Sequence, residues 1–84
     1  MSGDDVWGMS ADAGNLVGGL LPSQRASKLL KQTTLSNDDL KAIWNESKTD
    51  VDVPKNMMSK LEFITAYELA VRAGGQALQA NSYV

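Results

Sequence analysis

The sequence predicts an all-α fold of two paired helix-loop-helix units, and three observations carry that prediction. Apolar residues recur at helical spacing in separate short segments, Ser-x-x-acid pairs open two of them at Ser36 and Ser59, and polar loops bearing Gly or Pro divide them into pairs. With 84 residues, 43% of them apolar and 21% charged, the chain is long enough for one modest core.

Residues 1–19 are rich in Gly and Asp and offer only Val6, Trp7, Met9, Leu16 and Val17 for burial. They read as a weak helical turn followed by a flexible loop, with residues 1–13 either flexible or a short first helix. Their apolar side chains either complete the core or belong to a mobile arm. Pro22 and Ser23 open the next helix, in which Ala26, Leu29 and Leu30 form an apolar stripe and Arg25, Lys28 and Lys31 take the other side. It ends near Gln32.

After the Thr33-Thr34-Leu35 link, Ser36 caps a helix that runs to about Ser47, with Asp39 in the capping-box position. Leu40, Ile43 and Trp44 then recur at helical spacing, so the indole lies one turn from Leu40 on the same face. An aromatic whose body needs burial and whose N–H needs a partner suits either a core or a groove that receives a peptide.

The polar stretch from Lys48 to Asn56 is a loop, because Pro54 forbids helix continuation and biases Val53 towards an extended shape. Ser59 with Glu62 forms the clearest capping box, and Leu61, Phe63, Ala66, Tyr67, Ala70 and Val71 read as the buried face of the last helix. Gly74-Gly75 stops it, leaving residues 76–84 as a tail. Leu20-Leu21 and Met57-Met58 are the apolar pieces of the two loops and can pair as a very short antiparallel ladder.

Composition excludes several function classes. The chain has no His and no Cys, which removes the commonest general base, the thiolate nucleophile, the usual zinc ligands and any disulfide framework. An enzyme is therefore not expected, and the absence of Cys fits a reducing compartment. A net charge of −2 argues against nucleic acid as a partner. No apolar run reaches the roughly 20 residues needed to span a bilayer, and the acidic N-terminus does not read as a signal peptide.

Over residues 14–75 the chain resembles the EH domain, a peptide-binding module built from two paired EF-hands. The resemblance rests on Gly19-Leu20-Leu21-Pro22-Ser23, then Leu30, Thr33 and Leu35, then the Leu40-x-x-Ile43-Trp44 run, with Leu61-Glu62-Phe63, Ala66 and Leu69 in support. It implies EF-hand-like units, a cytoplasmic place at endocytic or vesicle membranes, and capture of Asn-Pro-Phe segments in partner proteins. Leu30, Leu40 and Trp44 are the pocket residues it carries over. The competing class is a scaffold or oligomerisation domain whose helical faces only pack.

The calcium loops of that family are degenerate here. Gly14-Asn15-Leu16-Val17-Gly18-Gly19 supplies almost no side-chain oxygen, and the second loop, Lys48–Glu62, exceeds twelve residues, begins with a lysine and lacks the central Gly. If any residues held calcium they would be Asp50, Asp52 and Glu62. Val51, Val53 and Pro54 fill the loop between them, so no metal and no cofactor is expected, with Glu62 serving as a capping partner. Arg25, Lys28 and Lys31 could meet acidic lipid headgroups weakly, although three cations are fewer than membrane-recruiting clusters usually contain. A solvated helix face is the default for them.

Overall fold

Helices form in this chain wherever a cap, an apolar stripe and a stop coincide. The computed structural model describes residues 2–76, so the tail expected over residues 76–84 lies outside the described residues except for Gln76. The order is α1 (Gly3–Asp12), β1 (Leu21–Pro22), α2 (Ser23–Lys31), α3 (Asn37–Ser47), β2 (Met57–Met58) and α4 (Lys60–Arg72). Over the described residues the molecule is mostly helical with one small antiparallel sheet.

The first helix is stronger than its Gly- and Asp-rich sequence suggests. Ser2 and Asp5 form a reciprocal capping box, each side chain bonded to the other's backbone N–H at 3.3 Å. Val6 and Trp7 of α1 are buried, and the Trp7 ring lies 5.9 Å from that of Phe63 on α4. Of the alternatives for this segment, the short first helix whose side chains complete the core is the one formed, in place of a single weak turn or a mobile arm.

The loop after α1 is likewise ordered. Gly18 and Gly19, at φ +59° and +80°, form a two-residue turn that only residues tolerant of positive φ can make, and Val17 and Leu20 exchange backbone hydrogen bonds across it. Because Leu20 is committed to that bridge, the sheet forms one residue further on than the expected Leu20-Leu21 pairing. Leu21 faces Met58, and Pro22 faces Met57.

Helix α4 is the central element, packed against α1 and α3. Phe63, Ala66, Tyr67 and Ala70 lie on its buried face, with Leu21, Leu30, Met58 and Val6 filling the space around them. Leu61, expected on that face, is 77% exposed. It stands two residues before Phe63, roughly 200° away at 3.6 residues per turn, so the two cannot share a side. Val71 is half-buried at the edge of the core.

The end of α4 is a Schellman motif. Gly75 N–H donates to Ala70 O at 2.9 Å and Gly74 N–H to Val71 O at 3.1 Å, with Gly74 at φ +97°. The Gln76 N–H then donates to Thr33 O at 2.9 Å, which ties the end of α4 to the linker between α2 and α3. Among the described residues, no helix is long and apolar enough to cross a membrane.

Candidate functional site

The α2–α3 linker sets the site. At the end of α2, buried Thr33 turns its hydroxyl back onto Leu30 O, and Thr34 adopts a left-handed φ of +67°. That reversal lays α3 beside α2. Ser36 caps α3 by accepting the Asp39 N–H at 3.2 Å, while the reciprocal half of the expected box is absent. Ser47 ends the helix with its hydroxyl on Ile43 O at 2.7 Å.

Between the two helices lies a cleft of about 290 Å³. From α2 it receives Ser27, Leu30 and Lys31; from α3 it receives Asn37, Leu40, Lys41 and Trp44. Both sets follow helical i, i+3, i+4 spacing, so one face of each helix builds it. Leu30 and Leu40 are buried at its base, Trp44 is half-buried, and Lys31 and Lys41 are exposed. The volume sits at the small end of the range for ligand sites, enough for one aromatic side chain. All three residues singled out from the sequence, Leu30, Leu40 and Trp44, therefore line one cavity. Ser27, Asn37 and Lys41 were missed, although their spacing from Leu30 and Leu40 could have found them.

Trp44 also borders a second cleft of about 480 Å³, lined further by Lys48, Asp50, Val51 and Val53 of the α3–β2 loop. Val51 is 96% exposed. The floor of that loop is an ion pair. Lys48 Nζ donates to Met57 O at 2.7 Å and to Glu62 Oε1 at 3.0 Å, with only 12% of the lysine side chain exposed.

Glu62 also accepts the Ser59 N–H at 3.0 Å on Oε1 and the Asp50 N–H at 3.2 Å on Oε2. Burial pushes its pKa upward and is the largest single influence; the Ser59 N–H, the Lys48 hydrogen bond, the Asp50 N–H and the Lys48 charge together outweigh it. The carboxyl is held below its ordinary value.

Asp50, Asp52 and Glu62 are not assembled around a common point. Asp50 Oδ1 accepts the Asp52 N–H at 2.9 Å in a local turn, and among the described residues no group of three or more His, Cys, Asp or Glu is placed to hold a metal ion. Arg25, Lys28 and Lys31 are all exposed on α2, and of these Lys31 also lines the cleft. No family model, no curated protein and no solved structure matches this chain.

Proposed function

We propose that this chain is a protein-interaction module resembling an EH domain, which captures short Asn-Pro-Phe segments of partner proteins in the cleft between α2 and α3. The single observation that supports this reading is the convergence of Leu30, Leu40 and Trp44 on one small apolar cavity at the surface. In this reading α1 with α2, and α3 with α4, are two EF-hand-like units joined through the β1–β2 pair. The ligand Phe ring enters against the indole, with Leu30 and Leu40 beneath it.

A three-residue anchor buries little area and must order a flexible ligand. The dissociation constant is therefore on the order of tens to hundreds of micromolar, and useful affinity comes from several motifs acting together. Proteins carrying such motifs at endocytic or vesicle membranes are the partner class, and the cytoplasm is where the module meets them.

The test is a heteronuclear NMR titration with an Asn-Pro-Phe peptide and with its Asn-Pro-Ala counterpart. Shifts of the Leu30, Leu40 and Trp44 amides that saturate with the first and not the second are expected. If neither peptide moves those resonances at millimolar concentration, the stripe is core alone and a packing or scaffold role replaces this reading.

A further inference from the structure

We propose that the Lys48 ammonium is a tethered cation that holds the loop between α3 and α4 shut, standing where loops of this shape otherwise seat a divalent ion. The inference rests on the loop's own geometry and does not depend on peptide capture.

Calcium loops of helix-loop-helix units grip their ion with a backbone carbonyl at position 7 and a bidentate carboxylate at position 12, five residues later. Met57 and Glu62 stand in that relation here. What lies between them is Lys48 Nζ, 2.7 Å from Met57 O and 3.0 Å from Glu62 Oε1. One positive charge thus answers one buried negative charge.

The remaining ligand capacity is already used or turned away. Glu62 Oε1 also carries the Ser59 N–H and Oε2 the Asp50 N–H, so the carboxylate is not free to hold a metal with both oxygens. Asp50 Oδ1 is engaged with the Asp52 N–H. The residues do not fit calcium: the ammonium fills the place between Met57 O and Glu62 Oε1, and the neighbouring carboxylate oxygens are engaged by backbone N–H groups.

A free ion closes such a loop only when its concentration exceeds its dissociation constant, whereas an ammonium carried on the chain itself is always present. Closure is constitutive. The covalent tether replaces a switch with a fixture, and Ser59, Asp50 and Met57 are drawn together on one node whatever the divalent concentration.

Thermal melts of the wild type, Lys48→Ala and Lys48→Ala/Glu62→Gln test this, each in chelator, in millimolar calcium, and in methylammonium chloride with choline chloride at matched ionic strength as control. The wild type should melt at one temperature throughout. Lys48→Ala should melt lower by roughly 10 °C, because an uncompensated carboxylate is left buried. It should regain at least half of that loss in methylammonium, and the double variant should not respond.

Should Lys48→Ala fail to fold without a cation, recovery of its helical circular dichroism on adding methylammonium is the supporting result, and no recovery is the overturning one. A Lys48→Ala that melts with the wild type overturns the proposal. So does a wild type that rises in calcium, or a single variant that responds no more than the double.

Discussion

Glu62 answers three donors with one carboxylate, and the pH dependence of the fold follows from it. Its folded pKa lies below the ordinary value of 4.5, so the folded state binds the proton more weakly than the unfolded chain. The stabilisation is complete above the unfolded pKa and is lost as pH falls from there through the folded one. The stability gap between wild type and Glu62→Gln, read from urea midpoints, should therefore be widest near neutral pH and narrow below about pH 4.5. Thr34 is strained in a different way. A β-branched residue at φ +67° costs about 1–2 kcal/mol relative to residues that tolerate the left-handed region. Thr34→Asn should accordingly raise stability by about 1 kcal/mol in the same urea titration, and an unchanged or lowered midpoint would show that the turn is held without strain.

Capping chemistry and close approach decide the elements. Ser59→Ala should cost about 1 kcal/mol by leaving the Glu62 N–H without its partner. Gly3→Ala should also destabilise, although alanine is the better helix former. A Cβ at Gly3 would sit 2.9 Å from Ile64 Cγ2 and 3.3 Å from its Cα, forcing α1 away from α4 and costing about 1–3 kcal/mol in thermal or urea melts. The three later helices were legible in the sequence because their starts and stops are local signals: Pro22 at the start of α2, Ser36 and Ser59 as caps of α3 and α4, Gly74-Gly75 as an end. The first was under-read. Its Ser2-x-x-Asp5 pair is the same signature, but Gly3 and Gly8 lowered the apparent helix tendency, and the close approach to Ile64 that makes Gly3 useful is a tertiary fact. Leu61 was misplaced for a simpler reason, since an apolar residue in a helix was counted without its angle.

For the whole molecule, the cleft was legible because Leu30, Leu40 and Trp44 lie on two consecutive helices joined by a short link, which leaves few ways to pack them. The Lys48–Glu62 pair was not, because it joins residues fourteen apart across a loop whose path no local pattern dictates; only the misplaced lysine at its first position was visible. Leu40→Ala should weaken Asn-Pro-Phe binding about tenfold at a stability cost of about 2–3 kcal/mol. Trp44→Ala should remove binding altogether, provided circular dichroism shows the helices intact. Fluorescence of a Trp7→Phe background follows the indole alone and should shift on adding peptide to that otherwise unaltered chain.

Trp44 borders both clefts, so what fills one and what orders the other meet at a single side chain. On the proposed peptide reading, a ligand ring that enters between α2 and α3 packs against the same indole that borders the α3–β2 loop, so the two events are expected to be coupled. Reciprocity makes the two effects equal. The factor by which bound peptide suppresses amide exchange through transient opening of residues 49–55 should match the factor by which the opened form binds peptide more weakly than the closed one, and peptide affinity then becomes a gauge of how firmly the neighbouring loop is closed.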